Sequence, residues 1–222
     1  MTDQPVVMIV LLAGLSLLPF ILVMLTSFVK VAVVLAIVRN ALGAGNIPPT
    51  MVVTGLALVL TIFVMAPVGG KVYAEIEPVL DDAKGASLTS GESVRAMIEA
   101  GKQAREPVRE FLVKHAHARD RAMFTDLARR MRDPADRDSV ANTDLLILAP
   151  SFVTSELKEA FAIGFLLFIP FLIIDMVIAN VLLSLGMHML SPTTVSLPFK
   201  LLLFVMVDGW ALLTRGLVLG YA

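Results

Sequence analysis

Long apolar blocks lie in both halves of this chain, and a short polar turn divides each pair of blocks. The four blocks run from Pro5 to Val38, from Ile47 to Val68, from Ala160 to Leu190 and from Val195 to Leu219. Each block reaches the length of about 20 residues that a membrane-spanning helix needs. The turns RNALGAGNIPP and SPTTVSLP separate the blocks of each pair. The pattern therefore predicts an all-α membrane protein with two hydrophobic helical hairpins.

A polar segment at 71–145 lies between the hairpins, which occupy residues 1–70 and 146–222. Apolar residues recur along it at helical spacing in three groups: Val94, Met97 and Ile98; Val108, Phe111 and Leu112; Phe124, Leu127 and Met131. Pro107 suits the first turn of a second helix, and the stretch MRDPADRDSVANTD is typical of a polar loop. The segment predicts a small amphipathic helical insert, which we expect on the periplasmic side.

Prolines lie inside three of the apolar blocks, at Pro19, Pro67 and Pro170. Each removes a helical hydrogen bond and favours a kink. A membrane tolerates such kinks where neighbouring groups satisfy the freed backbone. The prolines therefore fit either a packed assembly of kinked helices or ordinary kinked membrane helices.

The N-terminal stretch MTDQPVVMIVLLAGLSLLPFILVML has an acidic Asp3 where a signal peptide carries basic residues. It also lacks a clear small-residue cleavage site, which predicts a retained membrane segment. Arg39 in the first turn and Lys200 just after the second weakly favour a cytoplasmic location for both hairpin turns. The insert and both termini would then face the outer side.

Composition strengthens the membrane assignment, because 57% of the 222 residues are hydrophobic and the mean hydropathy is +0.84. Soluble domains average about 45–50% apolar residues. The net charge is −1 and both signs are mixed through the insert, which argues against nucleic acid as a partner. Cysteine is absent, which excludes disulfides, Fe–S clusters and Cys-based sites. No Gly-rich phosphate loop with its lysine occurs, and we expect no cofactor.

Three charged residues interrupt the apolar runs, namely Lys30, Asp175 and Asp208. A charge at the centre of a membrane helix costs about 2.5–3.5 kcal/mol, so each needs a reason. Asp175 and Asp208 can activate water as a catalytic pair, although the surrounding IIDMV and VDGWA lack the Gly-x-Gly-Asp context of intramembrane proteases. They can also relay protons. We favour structural pairing of these carboxylates with Lys30 or Lys200 across a helix or subunit interface.

The turn of the second hairpin carries Met187, His188 and Met189. Their soft and imidazole donors can bind copper, but few further such donors lie nearby. Flexible, polarizable methionines can instead seal around irregular shapes and still yield, or they can simply pack at the membrane interface. His115 and His117 stand two apart on a predicted helix and point to different faces, which indicates solvated side chains.

Three stretches of the apolar halves resemble the signature regions of the FliP/SctR family, which forms the core of the export gate of type III secretion systems. They are LTSFVKVAVVLAIVRNALG, NIPPTMVVTGLALVLTIFVMAP and SFVTSELKEAFAIGFLLFIPFLIIDMVIANVLLSLGMHMLSPTTVSLPFKLLLFVMVDGW. The insert around REPVREFLVKHAHARDRAMFTDLARR resembles the family more loosely. Flagellar members typically begin with a cleavable signal peptide, and the ending LLTRGLVLGY is more similar to the injectisome branch. The resemblance therefore favours SctR over FliP.

The resemblance implies a homo-oligomer of about five copies, which joins SctS-like and SctT-like subunits in a closed helical cone. The cone belongs to the bacterial inner membrane, protrudes to the periplasmic side and works with SctU-like and SctV-like components. Apolar hairpins that look like membrane spans would then pack against other subunits instead, partly above the bilayer plane, and the insert would form the outer part of the cone. The family's methionine-rich gasket around the export channel corresponds to Met187, His188 and Met189. His188 departs from the methionine that is common there, and its proton uptake near neutral pH is expected to loosen the seal.

Together, the residues and the resemblance predict a membrane protein that is not an enzyme and that gates a passage for unfolded secreted polypeptides. A constriction of flexible apolar side chains can exclude water until a polypeptide parts them. The alternatives are a flagellar export gate subunit, a proton-coupled transporter and an intramembrane hydrolase. A transporter should lose activity when Asp175 becomes Asn. A hydrolase should lose cleavage, but still assemble, when either Asp175 or Asp208 becomes Asn.

Overall fold

The computed structural model describes residues 14, 16, 17, 19–43, 45, 47–82 and 91–222, and the regular secondary structure of these residues is entirely helical. The helices are α1 (Phe28–Leu42), α2 (Thr50–Asp82), α3 (Gly91–Gln103), α4 (Arg105–His115), α5 (Ala118–Met131), a 3₁₀ helix (Pro134–Ser139), α6 (Leu145–Ser184), α7 (Pro192–Met206) and α8 (Gly209–Leu219). The predicted all-α class is confirmed. Much of the predicted N-terminal membrane segment, and the side chains of Val94 and Met97, lie outside the described residues.

Two described helices, α2 and α6, are long and apolar enough to cross a membrane, over Thr50–Val79 and Leu145–Ser184. The fourth apolar block was predicted as a membrane helix, and it passes the same test only as a bent pair of helices. It forms α7 and α8, which meet at an angle of 60°. Within the first block, α1 contains only 15 residues.

Prolines do not mark the main break in the described helices. Helix α2 continues through Pro67 and Pro78, and α6 continues through Pro170. The break between α7 and α8 lies at Val207 and Asp208, where no proline occurs. Its cause is a left-handed backbone conformation at Asp208, with φ 51° and ψ 51°.

The chain divides into two compact units, with one boundary just before α1 and two more inside α2 and α6. One unit contains the described residues up to Ser27 together with Met65–Glu156, and the other contains Phe28–Val64 together with Leu157–Ala222. The three segments predicted from composition, at 1–70, 71–145 and 146–222, stay a prediction.

The second unit has a core built around α1. Its buried members include Val31, Val34, Leu35, Val38, Ala57, Ala160, Phe171, Phe204, Leu213 and Leu217. Spacing of three and four residues puts the α1 members on one face of that helix. Helix α6 approaches α1 closely at Gly164, where an added Cβ would lie 2.4 Å from Ile37 Cδ1.

In the other unit, a buried carboxylate sets which face of α5 is covered. Asp120 is 1% exposed, and it accepts a hydrogen bond from Ser155 Oγ at 2.8 Å. Two of the apolar residues at helical spacing on α5, Leu127 and Met131, are 44% and 88% exposed. Helix α5 turns a polar residue inwards because α6 offers it a donor.

The two histidines predicted on one helix lie at the ends of two helices. His115 ends α4, and His117 precedes the first residue of α5. The His117 N–H donates to Ser155 Oγ at 2.9 Å. The predicted geometry of two histidines on opposite faces of one helix is therefore wrong.

Candidate functional site

An ion pair between a buried lysine and a partly buried aspartate joins α6 to α7. Lys200 Nζ lies 2.6 Å from Asp175 Oδ2 and also donates to the carbonyl of Ala41 at 3.1 Å. Ser196 Oγ donates to the other carboxylate oxygen, Asp175 Oδ1, at 2.5 Å. Ser196 and Lys200 are four residues apart, so one face of α7 presents both donors. The network therefore connects α7 with α6 and with the last turn of α1.

This arrangement has two consequences for the predictions. Lys200 is only 2% exposed, and the cytoplasmic location of both hairpin turns, which was argued in part from this residue, stays a prediction. Both oxygens of Asp175 are occupied by Ser196 and Lys200, which is the geometry of a structural pair. Within the described part of the chain, no hydrogen bond or ion pair links Asp175 to Asp208.

Lys30 has a different set of neighbours from those predicted. Its Nζ lies 2.6 Å from Glu159 Oε2 and 4.2 Å from the centre of the Tyr221 ring. Lys30 is 2% exposed, so the carboxylate and the aromatic face replace water around its charge. Sequence reasoning missed Glu159 because it lies one residue before the apolar block predicted from Ala160. Tyr221 gave no signal beyond being an aromatic residue near an apolar helix.

Asp208 does not lie within a continuous membrane helix, as its apolar neighbours suggested. It is exposed, and together with Val207 it links the end of α7 at Met206 to the start of α8 at Gly209. Its side chain forms no capping hydrogen bond to α8. Asp208 therefore pairs with neither of its predicted partners, because Lys30 is paired with Glu159 and Lys200 is paired with Asp175.

The loop between α6 and α7 begins with a defined helix end. Gly186 adopts φ 72°, and its N–H donates to the carbonyl of Leu183 at 3.0 Å, while the Met187 N–H donates to that of Leu182 at 2.9 Å. These two bonds form a Schellman motif, which glycine favours because it has no Cβ. The base of the loop is therefore fixed by the backbone.

The tip of this loop carries the three residues predicted as a gasket. Met189 is 99% exposed and Met187 is 46% exposed, and His188 is also exposed. Helix α7 then starts at Pro192, where the missing N–H is tolerated. The loop presents flexible apolar side chains outwards from a rigid support. Among the described residues, no group of three or more His, Asp or Glu is placed to hold a metal ion.

Comparison with known proteins gives a consistent assignment over nearly the whole chain. The FliP family matches residues 11–217. Yop proteins translocation protein R of Yersinia pestis is 47% identical over 214 residues, which cover 96% of this chain and 95% of that protein.

Two further relatives represent other secretion and flagellar systems. Hypersensitivity response secretion protein HrcR of Ralstonia nicotianae is 44% identical, with 96% of each chain covered. Flagellar biosynthetic protein FliP of Pectobacterium carotovorum is 47% identical over 94% of this chain and 76% of that protein. The extent of these matches confirms the resemblance identified from the sequence, and the chain belongs to the FliP family.

Proposed function

We propose that this chain is a core subunit of a type III protein secretion export gate, which forms and seals the channel through which unfolded polypeptides leave the cytoplasm. The observation that carries the proposal is its similarity, over 96% of its length, to proteins named for Yop translocation and for hypersensitivity response secretion. The two long apolar helices fit a membrane protein of such an apparatus.

The lengths of the helices support an assembly with other subunits. Helix α6 has 40 residues and is about 60 Å long at 1.5 Å per residue, whereas the hydrocarbon core is about 30 Å thick. Large apolar side chains along α2 and α6 are more than 60% exposed, among them Met51, Ile62, Phe63, Phe161, Phe165 and Leu166. Apolar surface of this extent needs protein partners as well as lipid.

These partners are proposed to be about four further copies of this chain, with SctS-like and SctT-like subunits in a closed cone. SctU-like and SctV-like components would act with it. The cone would belong to the bacterial inner membrane and extend to the periplasmic side. Energy for export would come from partner components, and this chain would act without catalysing a reaction.

Met187, His188 and Met189 are proposed to form the gasket of the channel. Their exposure on a loop with a fixed base supports this role, since a seal must be flexible at its tip and firmly held at its root. Thioether side chains exclude water from a narrow constriction and yield when a polypeptide enters. His188 would make the seal sensitive to protonation.

The test is the ionic conductance of vesicles that carry the assembled complex, with Met187→Ala/Met189→Ala compared with the native chain. We expect a large ion leak with normal assembly. The matched control is Met131→Ala/Met206→Ala, which removes two exposed methionines at other places. A gasket variant that leaks no more than this control would refute the assignment of the seal. A conductance that stays constant between pH 5 and pH 8 would remove the role of His188.

A flagellar export gate subunit is the second candidate, because the identity to flagellar FliP of Pectobacterium carotovorum is also 47%. Deletion of the gene separates the two proposals. Loss of effector secretion with normal motility supports the first, whereas loss of motility alone supports the second. Substitution of Asp175 by Asn tests the transporter and hydrolase alternatives, since an export subunit should show an assembly defect.

A further inference from the structure

The junction between α7 and α8 is an elbow, which we define as Phe204 to Trp210. The two helix axes meet at 60°. The N–H of Val207 still bonds to the carbonyl of Leu203 at 3.1 Å, and the carbonyl of Asp208 already accepts the N–H of Leu212 at 3.1 Å. Regular hydrogen bonding therefore continues on both sides, and the change in direction is confined to one or two residues.

Asp208 is the residue at which the direction changes. Among the described residues other than glycine, it alone has a positive φ. Left-handed backbone is unfavourable for most L-residues, but Asp and Asn adopt it several-fold more often than others. The sequence therefore has a suitable residue at the position where the backbone leaves the right-handed helix.

Whereas the backbone of Asp208 is hydrogen-bonded, its carboxylate has no hydrogen bond or ion pair among the described residues. It makes no capping hydrogen bond to α8, and no ion pair with a described residue involves it. Arg215 lines the same surface groove but lies outside ion-pair distance of it in the described structure. These contacts indicate that the backbone conformation of Asp208, and not its charge, explains why an aspartate occurs at this position.

The neighbouring residues hold the elbow in one shape. A Cβ at Gly209 would lie 2.4 Å from ring carbons of Phe204, so only glycine lets α8 start this close to the ring. The Trp210 ring packs edge-on against Phe204 with centroids 5.2 Å apart. On the inner side, Leu203, Phe204 and Leu213 line a partly open apolar pocket of about 160 Å³.

We propose that Asp208 is a positioning residue whose function is to hold the left-handed backbone of this elbow, and that its negative charge is not required. The direction of α8, and with it the packing of Leu213 and Leu217 on the core, then depends on the conformation at one residue. A charge-relay or ion-pair role would require the carboxylate instead.

The test measures the elbow directly with two spin labels. The chain has no cysteine of its own, so cysteines at the exposed positions Thr194 and Leu219 carry the labels. Labelled chains are diluted with unlabelled chains in the purified complex, which removes distances between copies. An unbroken helix would separate these positions by about 37 Å, and the 60° bend shortens this by about 5 Å.

Four substitutions separate backbone from charge. Asp208→Asn and Asp208→Gly tolerate the left-handed conformation without a charge, and we expect the native distance and secretion within two-fold of the native level. Asp208→Glu keeps the charge and Asp208→Leu does not, but both favour a continuous helix, and we expect a distance about 5 Å longer. If the Leu variant fails to accumulate, the label distances in the Asn and Glu variants still separate the role of the backbone from that of the charge.

A longer distance in the Asn variant, or a native distance in the Glu or Leu variant, would overturn the proposal. The distance is independent of the proposed export function, which is tested by secretion in the native chain. Native distance in the Asn variant combined with abolished secretion would also overturn it, because the charge would then be required.

Discussion

Replacement of Lys200 by methionine should destabilise the second unit, because it leaves Asp175 without its cation. Lys200 contacts Asp175 at 2.6 Å and also satisfies the Ala41 carbonyl at 3.1 Å. Methionine has a similar shape and no charge, so the main loss is electrostatic. Ser196 still donates to the carboxylate, but a neutral hydroxyl does not compensate for a missing ammonium group.

The expected loss can be estimated from burial. Removal of one partner of a buried ion pair costs about 3–5 kcal/mol, and the 25% exposure of the Asp175 side chain points to the lower end. At about 2–4 °C per kcal/mol for a chain of this size, 3 kcal/mol lowers the melting temperature by about 6–12 °C. Asp175→Leu/Lys200→Met removes both charges and should recover most of this loss, since an apolar pair needs no compensation.

The assay is thermal unfolding of the detergent-solubilised full chain, followed by circular dichroism, for the two single variants and the double variant. Lys114→Met is the matched control, because Lys114 is exposed on α4 and surface substitutions change stability by at most about 0.5 kcal/mol. The reasoning is refuted if Lys200→Met melts like this control. It is also refuted if the effects of the two single substitutions simply add in the double variant.

Two further predictions concern close packing in the same unit. Tyr221→Leu should lower the melting temperature because it removes the ring 4.2 Å from Lys30, a contact worth about 0.5–2 kcal/mol. Tyr221→Phe keeps the ring and should melt at a higher temperature than the Leu variant; equal melting of the two variants would contradict the cation–π contact. Gly164→Ala should cost about 1–3 kcal/mol, because the new methyl group would lie 2.4 Å from Ile37. Ile37→Ala should rescue it in the same melting assay, and no rescue would mean that the clash is relieved elsewhere.

The existence of the long helices could be predicted from sequence because it depends on uninterrupted apolar runs. The residues at which these helices begin and end could not be predicted in this way. The second block was expected to end at Val68, but α2 continues to Asp82, and the third was expected to start at Ala160, but α6 starts at Leu145. Hydropathy marks where a helix can meet lipid, whereas the helix itself continues wherever backbone hydrogen bonds are not interrupted.

The sequence could predict that the charges in the apolar runs would be paired, but it could not predict the partner of each charge. The cost of charges in apolar runs indicated that Lys30, Asp175 and Asp208 each needed a reason, with Lys200 as a possible partner of the carboxylates, yet the choice of Glu159 for Lys30 depends on how α1 lies against α6. The left-handed conformation at Asp208 was also hidden, since Asp is compatible with a helix, a cap or a turn. Such features are decided by tertiary packing and leave little trace in local composition.

The contact between Lys30 and Tyr221 also has a consequence for the order of events during synthesis. The two residues are separated by almost the whole chain, and at about 5–20 residues per second a ribosome needs roughly 10–40 s to make the intervening segment. Throughout this interval the ammonium group of Lys30 has no aromatic neighbour from the chain's own end, and Glu159 also arrives late. The second unit is thus completed around a residue that was translated early, so its final packing must follow translation of the last helix.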